Sequence, residues 1–421
     1  VVEALIISYN ALPLDVVSSY RSKAYCDHLM SFGIRPTLLT HRWEKKVNGH
    51  YRIHEGDDKI VFEENEACKV IRLPHPGMDY SQSKLHTLLS YLNSNLDVGL
   101  MQSYRLFRKY LRDHLKEKRY DVIIAVYNPH FHLKLAYECW QEFGIPYVLD
   151  FRDLWNNNIV TRSYNPGFKE RTLNSIIARC WRKWIRSSLF FSTTGQTWTH
   201  YLSRLSGRDG IVVRNGFDYL PTETKTPEIR HDRKFKVVHF GRMYEGQAVD
   251  IFLKGFREFA NRLSPSKIGF EIIGLKKVTG INYEEKIGNS LGDYVTFLPY
   301  MEKRELVKYC VEQASIFFFP NFIEDNGQFP VKIYDYVMIA KNILVTHGGG
   351  EISDFVLKLG AGVVADEPES VTGYLEKFYR EFENSGSIKF YLNNSELKQY
   401  SREMQVRVMA EKIHHVLARS E

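Results

Sequence analysis

Short apolar runs alternate along the chain with segments whose apolar residues recur every three to four positions. Runs at 3–8, 36–40, 69–73, 121–126, 147–150, 189–193 and 211–213 have the length and side chains of buried strands. Between them, 15–32, 102–118, 131–143 and 169–187 read as helices. A polar, proline-bearing stretch, DYLPTETKTPEIRHDRK (Asp218–Lys234), interrupts the pattern and is the expected linker. The alternation then restarts, with strands at 235–240, 269–274, 294–298, 315–319, 343–346 and 362–365 and periodic helices at 249–263 and 329–339. A final helical pattern covers 396–418.

Two successive strand–helix series with uninterrupted apolar strands predict an α/β fold: two Rossmann-like doubly wound domains facing each other across a cleft. The expected divisions are 1–219, 220–395, and a C-terminal helix in 396–421 packing back toward the first domain. Ligands of such sheets bind beyond the carboxyl ends of the strands, so the motifs at strand ends carry the functional argument.

Composition narrows the classes. Of 421 residues, 44% are hydrophobic and 25% charged, the balance of a globular chain with a large core. Five cysteines, Cys26, Cys68, Cys139, Cys180 and Cys310, form no C-x-x-C pair, which argues against zinc and a disulfide framework and for reduced thiols in the cytoplasm. No run approaches the roughly 18 apolar residues of a spanning helix. The start, VVEALIISYN, lacks a charged segment ahead of an apolar one. A formal net charge of +7 suits phosphorylated ligands or an anionic membrane and is too small to argue for nucleic acid.

Four stretches carry candidate chemistry. In HFGRMYEGQAVDIF (His239–Phe252) a strand runs into Gly241, and a turn bearing Arg242 and Gly246 leads to a helix near Gln247. A glycine permits close backbone approach, a helix N-terminus favours an anion, and an arginine fork grips phosphate. A plain turn with a solvent-facing arginine fits the same residues. In GQFPVKIYDY (Gly327–Tyr336), Lys332, Asp335 and Tyr336 lie at helical spacings of three and four. They would offer a cation for phosphates and an acceptor for ribose hydroxyls, or else an intrahelical Lys–Asp pair. Gly348, Gly349 and Gly350 follow a strand and open a helix, a cradle of backbone N–H groups. An esterase oxyanion loop is excluded because no G-x-S-x-G elbow exists.

The fourth is a pair of strand ends, Asn128, His130 and His132 on one and Asp150, Arg152 and Asp153 on the next. Ligand contact and a salt-bridged cap both fit the Asp–Arg–Asp cluster, and both histidines suit helix capping or packing. The Asn215–Gly216 turn of VRNGFD closes the first domain or touches ligand. No D-x-D, H-E-x-x-H, Walker loop or EF-hand pattern occurs, so neither a metal nor a cofactor is expected.

Together these stretches resemble the family 4 glycosyltransferases of the two-domain GT-B fold, and within them a bacterial surface-polysaccharide branch. The resemblance rests on Tyr9 and Pro13 before FGIRPTLLT (Phe32–Thr40), PHFH (Pro129–His132) before GIPYVLDFRDLW (Gly144–Trp155), RNGFD (Arg214–Asp218) and FPVKIYDY (Phe329–Tyr336). It implies a retaining, metal-independent transfer from a nucleotide-diphosphate sugar to a glycan or lipid-linked acceptor in cell-envelope assembly. It places Gly241, Arg242, Gln247, Lys332, Asp335, Tyr336, Gly349 and Gly350 on the donor, with Arg152, Asp153, Arg242 and Lys332 at the reaction. His130, Asp150 and Asn215 fall on the acceptor side. Two departures stand out. Gln247 occupies the place of a usual lysine, and Gly327 the place of the first glutamate of a pair, for which Glu324 is the nearby substitute. A sugar-nucleotide 2-epimerase of the same fold and a non-catalytic sugar-nucleotide-binding partner are the alternatives.

The segment Arg171–Ser188 combines five cations with Trp181 and Trp184. It reads as a core helix with a solvated basic face, or as a dock on anionic lipid that would make the protein peripheral on the inner face of the plasma membrane.

Overall fold

The structure is a computed structural model, and it describes residues 1–14, 16–47, 50–53, 59–77, 83–218, 234–275 and 280–419. Most of the expected linker, 219–233, lies outside the described residues. The chain divides into two compact units, Val1–Asn215 with Arg402–Glu421, and Gly216–Ser401. The crossings therefore fall at 215/216 and 401/402, where the sequence pattern had placed them at 219/220 and 395/396.

Sixteen strands occur among the described residues: β1 Val2–Ile7, β2 Ile34–His41, β3 Trp43–Val47, β4 His50–Ile53, β5 Val61–Glu64, β6 Lys69–Leu73, β7 Val122–Tyr127, β8 Tyr147–Phe151, β9 Phe191–Thr193, β10 Gly210–Val212, β11 Phe235–Phe240, β12 Ile268–Ile273, β13 Val295–Leu298, β14 Ile316–Pro320, β15 Ile343–Thr346 and β16 Gly362–Ala365. The first unit holds one sheet in the order β10-β9-β8-β7-β1-β2-β6-β5. Every pairing in it is parallel except β5 against β6. The second unit is a parallel sheet ordered β13-β12-β11-β14-β15-β16, the doubly wound order in which strand direction of travel reverses between the first and fourth strands.

Helices cover both faces of each sheet, as uninterrupted apolar strands require. In the first unit Leu149 and Phe151 pack with Trp181 on one face. Val148 packs on the other with Tyr25 from the helix Val17–His28 and with Met409 and Ile413 from the helix Arg402–Leu417. In the second unit Val237 and Phe318 meet Phe252 and Phe256 on one face, and Val238 and Phe319 meet Ile333 and Val337 on the other. The two sheets are those of the expected α/β class.

Several elements differ from the pattern, among them the final helix expected over 396–418, which is two helices, Asn394–Lys398 and Arg402–Leu417. The helix expected over 15–32 ends at His28 and tightens into a 3₁₀ turn, Leu29–Phe32, because Gly33 stops it at φ 75°. The helix expected over 329–339 is shorter, Lys332–Met338. No helix among the described residues is long and apolar enough to cross a membrane.

Candidate functional site

At the carboxyl edge of the first sheet, the Asp–Arg–Asp cluster divides into two parts. Asp150 is fully buried. Its Oδ2 accepts from Arg21 Nε at 2.9 Å and from the Tyr25 hydroxyl at 2.8 Å. Its Oδ1 accepts from Arg21 Nη2 and from Ser192 Oγ, both at 2.6 Å. Register explains the last contact, since Asp150 lies directly opposite Ser192 across β8 and β9. Arg21 completes its donors on the carbonyls of Val213 and Arg214, at 2.8 Å each. Burial opposes the charge of Arg21, yet Asp150 and Tyr25 hold the guanidinium above its usual range. Asp150 is thus an internal tie between strand, helix and the segment before Asn215, and the expectation that it faces an acceptor is corrected.

Arg152 and Asp153 follow the last residue of β8. Arg152 Nη2 lies 2.5 Å from Asp153 Oδ2, so Asp153 rather than Asp150 holds the arginine. Asp153 is 41% exposed, and Arg152 Nε is buried without a hydrogen-bond partner. This pair is the part of the cluster open to a ligand.

The histidines of the neighbouring strand end are internal. His130 Nδ1 accepts from Trp181 Nε1 at 3.0 Å, and burial lowers its pKa to about 3. It is therefore neutral, with its proton on Nε2, and the expectation of an acceptor-side His130 gives way to a packing role. His132 is fully buried, bonds the Val126 carbonyl at 2.8 Å, and is held near 4 by burial. Asn215 contributes its carbonyl to Arg402 Nε at 3.2 Å, and Gly216 has φ 67°, the conformation an Asn–Gly turn permits.

Asp97 was missed by the sequence reading. Its Oδ2 accepts from the Phe131 amide at 2.6 Å at the start of the helix Phe131–Phe143, and burial pushes its pKa up to about 7. No spacing signal tied Asp97 to that helix. The basic helix Phe168–Arg186 buries both Trp181 and Trp184 and exposes Arg171, Arg179, Arg182, Lys183 and Arg186. The tryptophans are core residues and cannot anchor a lipid surface.

The second unit gathers its motifs where β11, β14 and β15 end. Gly241, at φ 85°, turns the chain out of β11, and Arg242 is exposed. Lys332 reaches back from its helix to the Arg242 carbonyl, Nζ to O 2.9 Å, and stands over the Phe319 ring at 5.4 Å. Among the described residues no carboxylate pairs with Lys332, and burial lowers its pKa to about 7. Asp335 instead pairs with Lys303 at 3.1 Å, so the Lys–Asp intrahelical bridge is not formed.

Two donor-side expectations are corrected here. Gln247 is buried, accepting from the Tyr244 amide at 2.7 Å and donating to the Pro320 carbonyl at 2.9 Å. It clamps the turn to the end of β14, and its burial turns the amide inward rather than toward a phosphate. Tyr336 is fully buried, stacked on Phe317 with centroids 4.3 Å apart, and its hydroxyl accepts from the Phe240 amide. It belongs to the core side of its helix.

The triple glycine does form part of a pocket. A cavity of about 150 Å³ is lined by the loop after β14, including Asn321, Asp325 and Gly327, and by His347 to Ile352 after β15. Asn321 Nδ2 shapes it by donating to the carbonyls of His347 and Gly349 at 3.2 and 3.1 Å. Gly349 and Gly350 have φ of 89° and 76°, and a side chain at Gly350 would meet the Asp325 carboxyl. Asp325 and Glu351 line this cavity and Glu324 does not, so the acid that the loop after β14 contributes is the residue next to the one the sequence suggested. The turn and the pocket are stitched together: Ala248 N donates to Asn321 O at 2.8 Å, and Ile323 N to Gly246 O at 2.9 Å. Among the described residues, no cluster of three metal-ligating side chains occurs.

The two sheets have the architecture of the GT-B glycosyltransferases. Solved structures with this fold include α,α-trehalose-6-phosphate synthase from Burkholderia multivorans, at TM-score 0.58 and 11% identity over 99% of this chain and 97% of that one. HepE from Anabaena, in complex with UDP-glucose, aligns at TM-score 0.57 and 12% identity over 98% of this chain and all of its own. A UDP-forming trehalose-phosphate synthase from Burkholderia xenovorans, in complex with glucose-6-phosphate, aligns at 0.56 and 10% over 98% and 100%. No family model and no curated protein matches the chain.

Proposed function

We propose that the chain is a glycosyltransferase that moves a hexosyl or related sugar from a nucleotide-diphosphate sugar to a hydroxyl of a glycan or lipid-linked acceptor, with retention and without a metal, in cell-envelope polysaccharide assembly. The observation that carries the reading is Lys332: a desolvated cation without a carboxylate partner among the described residues, hydrogen-bonded to the Arg242 turn beside a glycine-lined pocket. A half-buried ammonium without a counter-charge is costly, and an anionic ligand offsets that cost. Arg242 and Lys332 would receive the diphosphate. The amides of Gly349 and Gly350 face the same ligand, and Asp325 and Asp335 accept from hydroxyls.

In the reaction the bond from the sugar's anomeric carbon to the phosphate oxygen breaks and a bond to the acceptor oxygen forms. The acceptor proton leaves with the nucleoside diphosphate. Such a step needs fixed positive charge on the leaving group and an aligned acceptor, rather than a protein nucleophile. The Arg152–Asp153 pair is the group assigned to the acceptor hydroxyl or the departing phosphate. The complexes of the structurally similar proteins with UDP-glucose and glucose-6-phosphate support a nucleotide-sugar donor and a sugar acceptor for this fold.

Asp325, His347 and Glu351 line the same pocket and are residue types an epimerase would use as acid–base partners. Incubation with UDP-, GDP- and dTDP-sugars and analysis of products separates the readings. Released nucleotide supports transfer, an epimerised sugar nucleotide supports the epimerase, and binding without turnover in the presence of acceptor supports a non-catalytic partner. Arg242→Ala should lower turnover at least about tenfold, the scale of one lost charge-assisted contact in the transition state. Wild-type turnover in that variant would sink the phosphate assignment.

A further inference from the structure

We infer that the helix Lys84–Leu92 and the cationic groove at its end form a docking surface for an anionic lipid bilayer. The helix is turned inside out. Leu85, Leu88, Leu89 and Leu92 recur at the spacing of an amphipathic stripe, which a globular helix ordinarily buries. Here they are 66%, 56%, 48% and 71% exposed. The opposite side of the helix presents Ser90 and Tyr91 to the protein, Ser90 fully buried and Tyr91 packed on the core. Its apolar side is thus left for something other than this unit's own core.

Charge says what covers it. The chain leaving the helix lines a groove of about 910 Å³ through Asn93 and Asn95, and Lys134 Nζ bonds the Asn93 carbonyl at 3.0 Å. The other wall is the helix Met101–Glu117, with Arg105, Lys109, Arg112 and Lys116 spaced along one exposed face. Six cations and three carboxylates line the groove. Glu142 pairs with Arg112 at 2.8 Å, Glu138 with Arg108 at 3.2 Å, and Asp113 with Lys116 at 3.8 Å. Among the described residues Arg105 and Lys109 have no carboxylate partner. Exposed leucines beside unpaired cations match a bilayer with anionic headgroups, where apolar side chains enter the acyl boundary and cations meet phosphates. The basic helix Phe168–Arg186 has cations without such a stripe, which separates the two faces experimentally.

The 421-residue chain is tested by flotation with phosphatidylglycerol–phosphatidylcholine vesicles and with pure phosphatidylcholine. Wild type should float with the anionic vesicles only. Leu88→Ser/Leu92→Ser and Arg105→Glu/Lys109→Glu should each lower the bound fraction at least about tenfold, while Arg182→Glu/Lys183→Glu stays within about twofold. The charge reversal leaves the leucines untouched, so a misfolded leucine variant would not decide the outcome. Absence of wild-type binding, equal binding to neutral vesicles, or an equal loss in the Arg182/Lys183 variant would overturn the inference. So would a wild-type dimer in sedimentation velocity that the leucine variant dissociates, since a second copy would then cover this face.

Discussion

Replacing Asp150 by asparagine is the sharpest test of how the DFRD stretch divides. Asp150 accepts four hydrogen bonds, from Arg21 Nε and Nη2, Tyr25 and Ser192, and neither it nor Arg21 reaches solvent appreciably, at 0% and 3% side-chain exposure. The amide keeps the shape, but it removes the charge and puts a donor where two acceptor positions stood. Arg21 is left charged and buried, with one neutral amide oxygen in place of the carboxylate beside the Val213 and Arg214 carbonyls. Removing one partner of a buried pair costs about 3–5 kcal/mol, whereas an exposed pair contributes about 0–1 kcal/mol. Asp153→Asn, at a half-exposed acid, should therefore cost less than about 1 kcal/mol. All six tryptophans lie in the first unit, so tryptophan fluorescence during guanidinium unfolding follows that unit by itself. A larger midpoint shift for Asp150→Asn, at unchanged slope, is the expected result. A loss under about 1 kcal/mol for Asp150→Asn, or an equal loss for Asp153→Asn, would refute the division.

Three further outcomes follow from the geometry. Because burial holds Lys332 near 7, binding of UDP should take up a proton above that pH and weaken as pH rises from about 6 to 9. Calorimetric titration should show a flatter pH dependence in Lys332→Met, and equal slopes would remove Lys332 from phosphate contact. Asp97, raised to about 7 by burial, makes the folded state bind its proton more tightly than the unfolded chain does. Its contribution is full below about pH 4 and is lost as pH rises through about 7, so Asp97→Asn should flatten the stability–pH curve across that window. An unchanged curve would contradict the assignment. Restoring a lysine at position 247 should not strengthen donor binding. Gln247→Lys breaks two internal hydrogen bonds and buries a charge, and a loss of about 1–3 kcal/mol in thermal unfolding is expected, where a gain in UDP affinity would be the contrary result.

Both sheets were legible because parallel strands covered on two faces are written as apolar runs, such as Phe235–Phe240 and Ile343–Thr346, with helices of regular period between them. β3, β4 and β5 were not. β5 carries Glu63 and Glu64 on an exposed edge and pairs antiparallel with β6, and charged edge strands lack the apolar signature that marks the interior. In the candidate site, glycines and cations announced themselves by type, as with Gly349, Gly350 and Lys332. Direction did not. Lys332, Asp335 and Tyr336 lie close along one short helix, but spacing alone does not say which flank meets the sheet, and the sheet takes Tyr336. Gln247 was misread for a related reason. Its position at a turn is visible in the sequence, while its bond to the carbonyl of Pro320, 73 residues away, is not.

The same limit explains why two acids three residues apart in DFRD looked interchangeable. Within β8, Val148 shares its face with Tyr25 and the helices Val17–His28 and Arg402–Leu417, while Leu149 and Phe151 face Trp181. Alternation puts Asp150 on the face of Val148, beneath Arg21 and Tyr25. Both faces of the strand are apolar, so no period-2 pattern in the sequence reveals that parity. The partner that neutralises Asp150 comes from 129 residues away. Arg152 and Asp153 stand beyond the last paired residue of the strand, where no such tie reaches them, and they bond each other. An activity loss in Asp150→Asn accompanied by lost stability therefore reports on the scaffold. An activity loss in Asp153→Asn at wild-type stability reports on the ligand, and that is the variant on which the assignment of the acceptor-side pair depends.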